Sequence, residues 1–169
     1  MRMSLLAAAP VVALLVLGTA ACDKNGTASP AAPAGAKPAS TSTTVSLCAV
    51  LTEDRAKQLL GQDATPDKQD AEQCSYQVVA SGASVTVQSQ VDGSGQLYDI
   101  NHNLGNADLK QAVSDVGDKA FFRADLETLY TRKNGVDLSV QLVTPGTLKD
   151  PTTALNPTRQ LALDIVAKF

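Results

Sequence analysis

Residues 23–44 read DKNGTASPAAPAGAKPASTSTT and contain no Val, Leu, Ile, Met or aromatic side chain. Such a segment cannot bury enough apolar surface to offset the entropy of ordering, so it is predicted to be a disordered tether. Any core must come from the residues C-terminal to it. Of the 169 residues, about 125 lie beyond Thr44, enough for one domain, 45–169, with a single core. As a flexible chain of about 22 residues, the tether would hold that domain roughly 25 Å from its attachment point.

Before the tether, every residue from Leu5 to Leu17 is apolar, and no charge occurs between Met3 and Cys22. That stretch is too short for a comfortable transmembrane helix, which needs about 20 apolar residues, and it comes after the basic start Met1-Arg2. Residues 1–21 therefore read as a signal peptide, ending in the small residues Gly18-Thr19-Ala20-Ala21. Cys22 comes next. This arrangement resembles the lipobox of bacterial lipoproteins, with Thr19 at the place usually held by Leu. The resemblance implies that the thiol of Cys22 carries a diacylglyceryl group and that Cys22 is the first residue of the mature chain. Residues 22–44 are then a lipidated, fatty-acylated cysteine and its tether, and the expected location is the outer, extracytoplasmic face of the cell membrane. Two acyl chains suffice for stable anchoring.

Removing Arg2 with the leader leaves 13 basic and 17 acidic residues. A net negative chain without clustered Lys and Arg is not expected to bind nucleic acid. The expected partners are the membrane, through the lipid on Cys22, and a protein of the cell envelope.

Thr52-Glu53-Asp54 supplies an N-cap and two first-turn acids, Ala56, Leu59 and Leu60 come next at helical spacing, and Gly61 is a stop, which predicts a helix over 53–60. Residues 62–72 are polar and contain Pro66, and read as loop. Cys74, Tyr76 and Val78 alternate with polar residues, as do Val85, Val87 and Val91. With Ser81-Gly82 as the turn, Val78 would face Val85 and Tyr76 would face Val87, and Cys74 would point to the core.

Leu97, Ile100 and Leu104 suggest a second helix running to about Asn103, and residues 108–116 are ambiguous between helical turn and strand. Three further strands are expected at Phe121-Phe122, 126–132 and 136–143. Between the last two, Arg132-Lys133-Asn134-Gly135 permits two registers. A two-residue Asn-Gly turn would place Thr131 opposite Leu138, whereas a three-residue loop places Tyr130 there and keeps apolar residues together, which favours the longer loop. Asn156-Pro157 reads as an N-cap with Pro at the first helical position, with Leu161, Ile165, Val166 and Phe169 on one face. The order lacks βαβ alternation. It predicts an α+β fold, an antiparallel sheet of about five strands with helices packed on one face.

Cys48 and Cys74 are 26 residues apart, which fits neither C-x-x-C redox chemistry nor clustered zinc ligands. In an oxidising compartment they are expected to form one structural disulfide. Cys48-Ala49-Val50-Leu51-Thr52, Leu59-Leu60-Gly61, Cys74-Ser75-Tyr76 and Asp115-Val116-Gly117-Asp118-Lys119-Ala120 together resemble a family of small actinobacterial envelope lipoproteins. Members share a lipobox, a Ser/Thr/Pro/Ala tether, a cysteine before a Leu-Thr helix and a Gly-Asp-x-Ala segment. The resemblance implies an envelope location and no particular reaction.

His102 is the single histidine, with Asp99 three residues before it, and no G-x-S-x-G elbow or H-E-x-x-H motif accompanies it. Asp115 and Asp118 form a second carboxylate pair. His102, Asp99, Asp115 and Asp118 are thus the candidate surface site, with no catalytic set, no metal ligand group and no cofactor expected. Three functions fit: a non-catalytic binding module of the envelope, a small envelope hydrolase using His102 with a nearby carboxylate, and an inhibitor or accessory of an envelope enzyme.

Overall fold

A computed structural model describes residues 45–91, 96–145 and 152–169. The signal peptide expected at 1–21, Cys22 and the tether expected at 23–44 lie outside the described residues.

The domain is α+β, with seven antiparallel strands and three helices among the described residues. A single 3₁₀ turn, Leu47–Ala49, leads into helix α1 (Glu53–Leu60). Thr52 caps α1 by accepting the Arg55 N–H at 3.3 Å, and Gly61 ends it at φ 66°. Next come strands β1 (Thr65–Gln69), β2 (Gln73–Val78) and β3 (Ala83–Gln90). Helix α2 (Gln96–Asn103) then leads to β4 (Lys110–Val113), β5 (Lys119–Arg123), β6 (Thr128–Lys133) and β7 (Val136–Val143), and helix α3 (Thr152–Val166) closes the chain. The order across the sheet is β1-β2-β3-β7-β6-β5-β4, so the two halves of the domain join along β3 and β7.

The sheet therefore has seven strands, not five. One added strand is β1, within the segment expected to be loop. Its side chains are all exposed, so it carries no apolar alternation, and only its pairing with β2 makes it a strand. The other is β4, which settles the ambiguous stretch before Val116.

One face of the sheet carries the main core. Tyr76, Val78, Val85, Val87, Phe122, Leu129 and Val140 point to α1 and α3 and meet Ala56, Leu60, Leu161 and Ile165. An ion pair at 3.2 Å between Arg55 and Asp164 bridges α1 and α3 at the rim of this layer. Cys74 is buried on the same face and bonded to Cys48, with 5.3 Å between their Cα atoms, so the disulfide ties the segment before α1 to β2.

The helices do not share that face. α2 lies on the opposite one, where Tyr98 and Leu97 pack on Phe121 and Tyr130 in a small second cluster. The cause is the β6–β7 register. Lys133 pairs with Val136 and Thr131 with Leu138, so the connection is the two-residue Asn134-Gly135 turn, not the three-residue loop. Both turn residues have positive φ, 50° and 80°, the geometry whose twist matches the flanking strands. The polar Thr131 is tolerated inside because its hydroxyl donates to the Val116 carbonyl at 3.0 Å and lies 3.1 Å from that of Lys119. A one-residue change of register moves every side chain to the other face, and Tyr130 thereby joins α2.

Two smaller departures from expectation are local. Val78 pairs with Ala83, not Val85, because the Gly82 N–H donates to the Val78 carbonyl at 2.9 Å and closes a longer turn. The shift is two residues, so each side chain keeps its face. α3 begins at Thr152, and Pro157 is inside it, not at its first position. Pro157 has no N–H for the helix ladder, while the neighbouring Thr158 hydroxyl donates to the Ala154 carbonyl at 2.7 Å.

Candidate binding face

The polar groups that fasten α2 to the sheet include one of the candidate surface residues, Asp99. Asp137 of β7, whose side chain is 2 % exposed, accepts the backbone N–H of Tyr98 in the first turn of α2 at 2.9 Å. It also accepts Arg132 Nε at 2.5 Å and Nη2 at 3.1 Å. A strand carboxylate thus caps a helix whose first N–H groups have no partner within the helix. Arg132 extends to Asp99 at 3.2 Å, and Lys119 reaches the same carboxylate at 3.3 Å. Partial desolvation works against ionisation of Asp99, but these two cations prevail and hold its pKa below the usual carboxylate value. Hydrogen bonding to Asp137, with Asp99 in support, raises Arg132 above its ordinary value.

His102 is exposed and packs against aromatic rings. It stacks on Tyr98 with centroids 5.8 Å apart and meets Phe121 edge-on at 5.2 Å. Asp99 is taken by Arg132 and Lys119, so the His102–Asp99 spacing on α2 does not assemble an acid–base pair. Asp115 and Asp118 are elsewhere. Asp115, at φ 74°, forms an ion pair with Arg159 of α3. Asp118 accepts the Asn134 N–H at 2.9 Å and pairs with Lys133 at 3.4 Å, and that backbone hydrogen bond lowers its pKa first, Lys133 second. The fold places the four candidate residues in separate structural contacts. Among the described residues, no group of three His, Cys, Asp or Glu gathers in metal-ligand fashion.

What the register does gather is a set of residues no local motif marks. On the α2 side of the sheet, away from α2 itself, Gln77 of β2 lies beside Ser84 of β3. In the next row Ser75, Thr86, Gln141 and Thr128 are successive partners across β2, β3, β7 and β6, and beyond it Gln73, Gln88 and Ser139 line up. None is charged. Ser75 donates to Asp67 at 3.1 Å, and Thr128 and Gln141 both donate to the Leu126 carbonyl, at 2.7 and 3.0 Å. Gln77, Ser84, Thr86 and Gln88 make no side-chain hydrogen bond to another described residue, and Gln88 is exposed to solvent.

At one end this surface meets a pocket of about 330 Å³. It is lined by Ser81 and Gly82 from the β2–β3 turn, Gln141 and Val143 of β7, and Asp125, Leu126 and Glu127 from the β5–β6 connection. Asp125 is held by Arg123, at 3.1 Å from Nε, which lowers the carboxyl pKa. Glu127 is 3 % exposed with φ 49°, a left-handed conformation rare outside glycine. The pocket size is at the lower end of small-ligand sites. Reading along the chain misses this face, because alternating Ser, Thr and Gln also describe an ordinary wet side of a sheet. The one available signal was the lack of charge at 84–90 in a chain with 18 % charged residues.

The chain matches no protein-family model, no curated protein and no solved structure.

Proposed function

We propose that the protein is a lipid-anchored, extracytoplasmic lipoprotein whose folded domain is a non-catalytic binding or accessory module of the cell envelope. The observation that carries this reading is the use of the three cysteines. Cys48 and Cys74 are joined in the domain, which leaves Cys22, directly after the apolar leader and its small residues, as the cysteine outside that bond. A thiol at that position has a role as an attachment point. The module reading is supported by the separate ion pairs of Asp99, Asp115 and Asp118, while the uncharged sheet face and its pocket offer a surface for a ligand.

Labelled fatty acid tests the anchor. It is expected to enter the wild-type protein in its bacterial membrane and to be absent from a Cys22→Ala variant. Label retained by that variant would overturn the assignment.

A further inference from the structure

We propose that the face made by Gln77, Ser84, Thr86, Gln88 and Gln141 binds a neutral polysaccharide, with a chain end or branch seated in the pocket between Ser81 and Asp125. The inference rests on the binding-module reading and names its ligand class.

A wet sheet face in a soluble domain is normally populated by Lys, Glu, Arg and Asp, which are the residues that stay outside. Here Gln73, Ser75 and Gln77 of β2, Ser84, Thr86 and Gln88 of β3 and Ser139 and Gln141 of β7 include none, although charged residues flank them in Asp67 and Lys68 on β1, in Arg123 beside Thr128, and in the Asp137–Arg132 pair beneath α2. The uncharged zone is therefore bounded, not a general property of the surface. Its side chains are amides and hydroxyls, each able to donate and to accept.

That inventory selects among polymers. A phosphate backbone or an anionic glycan needs clustered cations, which the zone lacks. A protein interface core is enriched in aromatic residues, Met and Arg, and the exposed part of β2 and β3 presents none of these. A lipid or apolar peptide would strand Gln and Ser groups without partners. A hydroxyl-rich, uncharged chain meets every requirement, since each sugar hydroxyl is also donor and acceptor. Moving neutral amides out of water costs far less than moving charges.

Geometry favours a polymer over a single sugar. Unpartnered groups occur on the adjacent strands β2 and β3, about 4.8 Å apart, and Gln141 of β7, which donates to the Leu126 carbonyl, still presents its amide oxygen, so a chain running across the three strands meets a polar group at each. Each contact is weak on its own, so several rows must be engaged at once. The pocket beyond Gln141 supplies the concave end, where Ser81 and the carboxylate of Asp125 offer groups for hydroxyls.

The test is native affinity electrophoresis of the full chain in detergent, with dextran, mannan, arabinan and a soluble β-glucan as neutral probes and dextran sulfate and diethylaminoethyl-dextran as charged comparators. At least one neutral polymer is expected to retard the wild-type protein, and the Thr86→Ala/Gln88→Ala double variant is expected to lose that retardation while melting at the wild-type temperature. Gln88→Lys, which keeps a long exposed side chain but places a charge in the zone, is expected to lose it as well. Absence of retardation by every neutral polymer, retardation by the charged polymers alone, or wild-type behaviour in both variants would overturn the proposal. None of these results depends on fatty-acid labelling at Cys22, so failure here is distinguishable from failure of the anchor.

Discussion

Asp137 on β7 accepts the backbone N–H of Tyr98 on α2 at 2.9 Å, and the same buried carboxylate holds Arg132. One residue therefore both caps a helix from a distant strand and neutralises a half-buried guanidinium. Removing it leaves a cation and a helix N-terminus without their partner in a site where the Asp137 side chain is only 2 % exposed. Asp137→Ala is expected to destabilise the domain by about 3 kcal/mol, in the range found when one member of a buried pair is deleted. Urea unfolding measures the loss, and hydrogen exchange at the Tyr98 amide should quicken more than at the Val85 or Val140 amides of the central strands. Lys119→Ala removes a solvent-screened ion pair with Asp99 and a cation over the Tyr98 ring at 4.5 Å, and should cost about 1 kcal/mol, well below the Asp137→Ala loss.

The Cys48–Cys74 bond closes a separation of 26 residues. Its loss should cost about 3.5 kcal/mol in the chain-entropy account. The expected result is a lower urea midpoint for Cys48→Ala/Cys74→Ala, matched by the wild-type protein under dithiothreitol. Alanine is the suitable replacement, because Cys74 is fully buried and a serine there would add a hydroxyl to the core. An unchanged midpoint in both experiments would contradict a structural role.

How far the residues announce this architecture depends on where the determining contacts lie. α1 is readable because Thr52, Ala56, Leu60 and Gly61 encode cap, face and stop within one short stretch. The β6–β7 turn misleads because apolar pairing alone disfavours Thr131, whose hydroxyl is satisfied by the Val116 and Lys119 carbonyls some 12 to 15 residues away in sequence. The position of α2 results from that same register. β1 is invisible as a strand because TPDKQ buries nothing, and it exists through its ladder to β2. The polar face is less readable still: Thr86, Gln141 and Thr128 become neighbours only when β3, β7 and β6 pair. Asp99, Asp115 and Asp118 stand out in the chain as acids near a histidine or each other, and each turns out to serve an ion pair with a residue distant in sequence, Arg132, Arg159 and Lys133.

Asp118, Asp125 and Asp99 set the acid limit of stability. The Asn134 N–H lowers Asp118, Arg123 lowers Asp125, and Arg132 with Lys119 lowers Asp99 against partial desolvation. A carboxyl whose folded pKa lies below its unfolded value contributes stability that is complete above the unfolded value and disappears as pH falls through the folded one. The urea midpoint is therefore expected to be level near neutral pH and to decline below about pH 4. Asp118→Asn should flatten part of that decline. At the other limit, burial raises Tyr130 and Tyr98 above their ordinary value of 10.0, so folding opposes their ionisation and stability should fall as pH rises past that value. A decline centred near pH 6 would contradict the assignment to carboxylates.

Gly117 and Gly61 share the same left-handed φ of 66° and differ in what surrounds them. A Cβ on Gly61 would meet nothing within 4 Å, whereas one on Gly117 would fall 2.5 Å from the Arg132 carbonyl oxygen and 2.5 Å from Thr131 Oγ1. Both contacts matter to the sheet: the Arg132 carbonyl accepts the Asp118 N–H at 2.7 Å, and the Thr131 hydroxyl satisfies the Val116 carbonyl inside the core. Gly61→Ala should cost only the conformational term, about 1 kcal/mol. Gly117→Ala adds a backbone clash with no flexible side chain to yield, and should cost at least about 2 kcal/mol more. Comparing the two urea midpoints separates close approach from backbone preference, because the φ penalty is common to both. Equal losses would mean that the segment before β5 can move away from β6, and that the tight corner at Val116-Gly117-Asp118 is not what fixes β5 to its neighbour.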